Sequence, residues 1–211
     1  MSKIQEISAA IEAGKAKVIG DLVMEALNEG VPASEILNTG MIDAMSVVGE
    51  RFSKGDIFVP EMLVAARAMK KGVEVLKPHL ASGEAGANGK VILGTVAGDL
   101  HDIGKNLVGM MIESAGFEVI DLGVDVPAEK FVEMVKENPD VRIVALSALL
   151  TTTMPAMRTA VKALNDMDGR DGFKILVGGA PITEEFAKEI GADAYSADAA
   201  SAASAAKALV A

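Results

Sequence analysis

The sequence predicts an α/β protein in which an N-terminal four-helix bundle cap precedes a flavodoxin/Rossmann-like, doubly wound, five-stranded parallel sheet. Three observations predict it. Apolar residues recur at helical spacing from residue 4 to about 81, a small polar stretch follows, and from Lys90 onward apolar, β-branched runs alternate with helical patterns.

Ile4, Ile7 and Ile11 mark a first helix, and Val18, Leu22, Met24 and Leu27 a second that stops at Asn28-Glu29-Gly30. Pro32 opens a third, with Ile36, Leu37, Met41, Met45, Val48 and Phe52 as its apolar stripe, ended by Lys54-Gly55-Asp56. A fourth begins near Pro60 and carries Met62, Leu63, Ala66, Met69, Val73 and Leu76 before Lys77-Pro78. Amphipathic helices on short connections bury their stripes against one another. Residues 1–82 are therefore expected to form a helical domain, and residues 83–89, which have nothing to bury, a linker.

From 90 to 211 the grammar changes. Strands are predicted at Lys90–Val96, Phe117–Leu122, Ile143–Leu146, Lys174–Val177 and Ala192–Tyr195. Helices follow each, over Ile103–Ala115 and from near Pro127, Met154, Thr183 and Ala199, the last with Asp198 placed to cap it. Alternation at this pitch means a parallel sheet covered on both faces. In such a sheet the ligand crevice lies at the carboxyl ends of the strands.

Composition narrows the chemistry. The 211 residues include no Cys and no Trp, so disulfides, thiolate metal sites, iron–sulfur clusters and cysteine nucleophiles are excluded. Thirty acidic against 20 basic residues give a net charge of −10, with no basic stripe to draw nucleic acid. The charged, amphipathic N-terminus is not a secretory signal, and no apolar run approaches the roughly 18 residues of a spanning helix. A cytoplasmic protein with neither nucleic acid nor membrane as partner is expected. Methionine is abundant, at 12 residues, most of them before Ala115.

Three loops at the carboxyl edge hold the unusual residues. The first runs Gly98-Asp99-Leu100-His101-Asp102-Ile103-Gly104-Lys105-Asn106, the third Ser147-Ala148-Leu149-Leu150-Thr151-Thr152-Thr153, and the fourth Gly178-Gly179-Ala180-Pro181. The first approaches a phosphate-binding P-loop but misses it. Five residues rather than four separate its glycines, and Asn106 stands where Mg²⁺ needs Ser or Thr. His101 is the stronger lead, because Asp99 two residues earlier can accept a hydrogen bond from one imidazole nitrogen and leave the other as a ligand. With only two histidines and no cysteine, a conventional zinc site cannot be assembled. A metal at His101 would need most of its ligands from elsewhere, as a macrocycle provides.

Asp99-x-His101-x-x-Gly104, then Ser147-x-Leu149, then Gly178-Gly179, in successive loops, resembles the cobalamin-binding pattern of B12-dependent methyltransferases and mutases. The helical half is similar to the cap of methionine synthase and of the corrinoid proteins of three-component methyltransferase systems, and the string Gly98 to Leu107 points to those carriers. The resemblance implies a base-off/His-on cobalamin or related corrinoid, with His101 as axial cobalt ligand, Asp99 its hydrogen-bond partner, and Thr153, where methionine synthase has serine, ending the relay. It further implies cofactor contacts at Gly98, Leu100, Asp102, Ile103, Asn106, Leu149 and Ala180. Ser147, Thr151, Gly178 and Gly179 would lie beside the cofactor's buried tail, and Phe58 and Met62 would reach the corrin from the cap. Met24, Met41 and Met45 read as core, and His79 as surface or structural.

The implied role is a methyl carrier of one-carbon metabolism, cycling between cob(I)alamin and methylcob(III)alamin. Its implied partners are a substrate-specific methyltransferase, a second methyltransferase using tetrahydrofolate or coenzyme M, and a reductive activating protein. Three other classes share part of the pattern: the cobalamin subunit of an adenosylcobalamin mutase, a cobalamin-dependent sensor, and an unrelated flavodoxin-like module with a structural His101.

Overall fold

A computed structural model describes residues 2–79 and 88–211. Most of the linker expected at 83–89, namely residues 83–87, lies outside the described residues. The chain divides into two compact units, residues 1–87 with 113–116, and residues 88–112 with 117–211.

The first unit is helical. Helix α1 (Lys3–Glu12) starts at a capping box in which the Ser2 hydroxyl accepts from Gln5 N–H and the Gln5 side chain accepts from Ser2 N–H. Helix α2 (Ile19–Asn28) buries Ile19, Val23 and Ala26. This face differs from the expected stripe, of which Val18 and Met24 are exposed at 44% and 39%. The cause is geometric. Adjacent residues on a helix differ by about 100°, so when Val23 faces inward Met24 cannot.

The expected third helix is continuous but not uniform. A short α3 (Ala33–Glu35) leads into a π-helical stretch, Ile36–Ile42, and then α4 (Asp43–Ser53). The π-stretch packs closely on its neighbours. A Cβ on Gly40 would meet Ile7 Cγ2 at 3.4 Å, and one on Gly72 would meet Met41 Cε at 2.6 Å. Gly72 belongs to α5 (Val59–Leu76), which buries Met62, Ala65, Ala66, Ala68, Met69 and Leu76. Met41 and Met45 are buried as expected.

The second unit is a five-stranded parallel sheet in the order β2-β1-β3-β4-β5, the flavodoxin-like arrangement expected. Its strands are β1 (Lys90–Thr95), β2 (Glu118–Asp121), β3 (Val141–Ser147), β4 (Lys174–Gly178) and β5 (Ala194–Ser196). The helices are α6 (Ile103–Ser114), α7 (Ala128–Glu137), α8 (Met154–Asn165), α9 (Glu184–Ile190) and α10 (Ala199–Val210). The fifth strand begins later than its apolar run, because Ala192 N–H still closes the end of α9 on Ala187 O.

Ile92, Val144, Leu146, Ile175 and Val177 point to one face and form a core with Phe131, Met157, Val161, Leu164, Phe186 and Ile190. Their neighbours along each strand point to the other face. There a Cβ on Gly109 of α6 would lie 3.0 Å from Leu93, and the alanine-rich α10 packs on β3, β4 and β5. Asp198 caps α10 by accepting from Ser201 N–H at 2.8 Å. Among the described residues no helix is long and apolar enough to cross a membrane.

Candidate functional site

Because β1 lies between β2 and β3, and β4 beyond β3, the loops leaving β1, β3 and β4 emerge side by side at the carboxyl edge. Two ladder bonds carry the β1 backbone past its strand, from Val96 N–H to Ser147 O at 3.0 Å and from Val126 N–H to Thr95 O at 2.9 Å. Gly98 then turns the chain in the left-handed region, φ 79°. That turn sends Asp99 back beneath the loop, where it has no exposed surface.

Four donors converge on the Asp99 carboxylate. Oδ1 accepts from His101 Nδ1 at 2.7 Å and from His101 N–H at 3.1 Å. Oδ2 accepts from Leu149 N–H at 2.7 Å and from the Thr153 hydroxyl at 2.8 Å. Burial pushes the Asp99 carboxyl up. The bonds from Leu149 N–H, the His101 ring, the Thr153 hydroxyl and His101 N–H outweigh it and hold the group well below the usual carboxylate range. An ionised carboxylate only accepts, so the His101 proton belongs on Nδ1 and the lone pair on Nε2. Half of the His101 side chain is exposed. Its carbonyl is anchored too, by the hydroxyl of fully buried Thr95 at 2.9 Å.

The remaining first-loop candidates lie around this unit. Leu100 is 72% exposed and Ile103 85%, while Gly98, Asp102, Gly104 and Asn106 are exposed as well. In the third loop Leu149 and Leu150 are exposed and Thr151 opens the short 3₁₀ turn that ends in buried Thr153. All the large apolar side chains exposed in the described part of the sheet unit are these four: Leu100, Ile103, Leu149 and Leu150. Ser147, Gly178 and Gly179 are half-buried, and Ala180 is exposed. Gly178 and Gly179 have a role inside the fold, since a Cβ would fall 2.9 Å from Ser196 O in the first and 1.8 Å from Ala148 O in the second. Gly104 differs. Its Cβ would meet nothing within 4 Å, so the chain itself does not require glycine there.

The two cap candidates lie in the helical unit. Phe58 is 67% exposed, whereas Met62 is buried and presents no surface.

Three participants were not apparent in the sequence. Thr95 reads there only as a strand residue. Lys105, 3% exposed, donates to Asp121 Oδ2 at 2.5 Å and to Asn106 Oδ1 at 2.7 Å, pinning the first turn of α6 to the end of β2. Asp125 accepts from Gly98 N–H at 2.7 Å and donates its own N–H to Asp99 O at 3.0 Å. A lysine inside an apolar helical stripe was a readable signal for Lys105; Asp125 had none, because its partners are backbone groups 26 and 27 residues away.

Among the described residues no three His, Asp or Glu side chains gather as a metal-binding group. The edge offers one imidazole nitrogen, an apolar surround and an open glycine. That donor set suits a metal that arrives with its own equatorial ligands, in a broad apolar molecule that needs backbone-close approach at Gly104.

Two family models match the chain, each described as a B12 binding domain, one over residues 89–206 and the other over residues 3–77. A dimethylamine corrinoid protein of Methanosarcina acetivorans is 43% identical over 210 residues, covering 99% of this chain and 97% of that protein. Among solved structures, a cobalamin-binding protein from Desulfitobacterium hafniense superposes with a TM-score of 0.83 at 34% identity, covering 99% and 98% of the two chains. The methanol:cobalamin methyltransferase complex MtaBC from Methanosarcina barkeri has a chain that superposes with a TM-score of 0.84 at 28% identity, covering 99% of this chain and 79% of that one.

Proposed function

The chain belongs to the B12-binding-domain family of corrinoid proteins, and from that premise we propose that it is a methyl carrier holding its corrinoid base-off with His101 as the lower axial ligand. The corrinoid, when bound, supplies a cobalt centre that accepts a methyl group as a nucleophile and gives it up as an electrophile. The observation that carries the reading is the Asp99-held imidazole, with Nε2 unprotonated, set among Leu100, Ile103, Leu149 and Leu150.

The residues divide the work by chemistry. Asp99 orients the ring and keeps the proton on Nδ1, and Thr153 and Leu149 N–H keep Asp99 ionised by donating to its other oxygen. Leu100 and Ile103 offer apolar surface to the corrin face, and Gly104 leaves room for its edge. Ser147, Thr151, Gly178, Gly179 and Ala180 border the path of the cofactor's tail, with Asp102 and Asn106 at the rim.

In this reading residues 1–82 are the cap domain, with Phe58 as its exposed contact, residues 83–89 the linker and residues 90–211 the cofactor domain. The partners are a substrate methyltransferase and a second methyltransferase using tetrahydrofolate or coenzyme M, with a reductive activator to restore the nucleophilic state. The names of the relatives favour a methylated amine as the donor.

The test is reconstitution with hydroxocobalamin followed by desalting and reduction to the cob(II)alamin state. The desalted protein should stay red before reduction, and after it the electron paramagnetic resonance should show one nitrogen of the protein on cobalt, lost in His101→Ala. A colourless protein would overturn the carrier reading, and an unchanged spectrum in His101→Ala would overturn the ligand assignment.

A further inference from the structure

We propose that Asp125 is a positioning residue for the Asp99–His101 unit, setting it in register with the sheet edge through the backbone of Gly98 and Asp99. The inference rests on the reading of His101 as the corrinoid ligand. Asp125 lies between β2 and α7 and is the only non-glycine with positive φ among the described residues, at 54°. Aspartate tolerates that conformation better than most residues but is still disfavoured there, so the strain calls for compensating contacts.

Those contacts are two hydrogen bonds to one short segment. Asp125 Oδ1 accepts from Gly98 N–H at 2.7 Å, and Asp125 N–H donates to Asp99 O at 3.0 Å. The left-handed turn at Gly98 aims its N–H at the carboxylate, and the left-handed turn at Asp125 aims its own N–H back. Behind this pair the loop is already zipped to β1, by Thr95 N–H to Gly123 O at 3.0 Å and by Val126 N–H to Thr95 O at 2.9 Å. The Asp125 pair is the last rung on this side and the one that reaches the residues bearing the relay.

The consequence is a division of restraint. The Asp99 carboxylate is held from the β3 side by Leu149 N–H and Thr153, and the Asp99 backbone from the β2 side by Asp125. With one side released, the carboxylate can no longer keep all four of its bonds at their present lengths, and the hydrogen bond to His101 Nδ1 is among them. Asp125 bonds to the backbone of Gly98 and Asp99 and not to the imidazole, so its effect on His101 is one of positioning.

The substitutions separate conformation from bonding. Asp125→Gly accepts the left-handed backbone but removes the acceptor, Asp125→Ala removes the acceptor and adds strain, and Asp125→Asn keeps both the acceptor and the tolerance of positive φ. The measurement is nitrogen NMR of the cofactor-free protein in a His79→Gln background, where His101 is the one histidine, together with hydrogen exchange at the Leu149 amide. The parent should show the Nδ1-protonated tautomer. Asp125→Gly and Asp125→Ala should shift it towards the mixture of free imidazole and speed Leu149 exchange at least about tenfold, and Asp125→Asn should restore both. If Asp125→Ala does not fold, Asp125→Gly decides. A folded Asp125→Gly protein with the parent's tautomer and Leu149 protection overturns the proposal. Loss of the ligand reading would appear separately, as a reconstituted parent without protein nitrogen on cobalt.

Discussion

The Thr153 hydroxyl stands 2.8 Å from Asp99 Oδ2 across 54 residues of chain. That contact joins the loop after β1 to the turn that opens α8, and it places a neutral donor behind the buried carboxylate that orients His101. The carboxylate is thus shared between two loops, and a change in either should be felt at the imidazole.

Asp99→Asn should cost about 1–3 kcal/mol of stability in urea denaturation, because an amide cannot accept from all four donors at once. The difference from the parent should depend on pH with a definite sign. The folded carboxyl lies below its ordinary value of 3.8, so the stabilisation is complete above that value and is lost as pH falls below it. Parent and variant should therefore converge only under acid conditions, and convergence near neutrality would contradict the assignment.

At Thr153, valine and serine separate the hydroxyl from the methyl. Thr153→Val leaves Asp99 Oδ2 with one donor fewer and should cost about 2 kcal/mol, as for a hydrogen bond to a charged group. Thr153→Ser deletes one methyl and should cost below about 1 kcal/mol. Equal losses would mean that packing, not donation, is what Thr153 supplies.

Two glycines should respond with opposite signs. Gly104→Ala places a Cβ in open space within α6, so the cofactor-free protein should gain about 0.5–1 kcal/mol while corrinoid retention falls. Gly179→Ala drives a Cβ to 1.8 Å from Ala148 O at a φ of 129°, and should cost about 2–3 kcal/mol or abolish folding before any ligand is added. Thermal melts with and without hydroxocobalamin distinguish the two.

Ile103→Ser and Leu100→Ser should leave the melting of the cofactor-free protein within about 0.5 kcal/mol of the parent, since both side chains are exposed. Each should weaken corrinoid retention about tenfold or more, the scale expected for an aliphatic side chain that becomes buried only on binding. A variant that melts early instead would place the side chain in the fold rather than the site.

Much of this architecture is legible in residue order. Strands buried on both faces must be apolar throughout, and the helices between them must be amphipathic, so the alternation after Lys90 announces a parallel sheet and its crevice. Asp99 and His101 are two residues apart, a local spacing that predicts their contact, and the structure has it at 2.7 Å. Periodicity leaves the buried face of α2 open, because Val18 and Leu22 of the expected set and the buried Ile19, Val23 and Ala26 each satisfy helical spacing. Periodicity fixes the pitch of a helix but not which stripe meets a neighbour. The π-stretch at Ile36–Ile42 was hidden for a related reason, since one extra residue per turn alters spacing too little to show over seven residues.

By itself, the sequence determined the element order, the loops at the carboxyl edge and the pairing of Asp99 with His101, because those follow from local periodicity and short spacings. Only the tertiary structure decided which groups hold the loop of that histidine in place. Leu149 N–H, Thr95, Lys105 and Asp125 act through hydrogen bonds whose partners, apart from neighbours of the same loop, are brought close by strand order alone. Partnerships of that kind leave no pattern along the chain, since a donor and acceptor meeting across a sheet edge impose no periodicity on the residues between them.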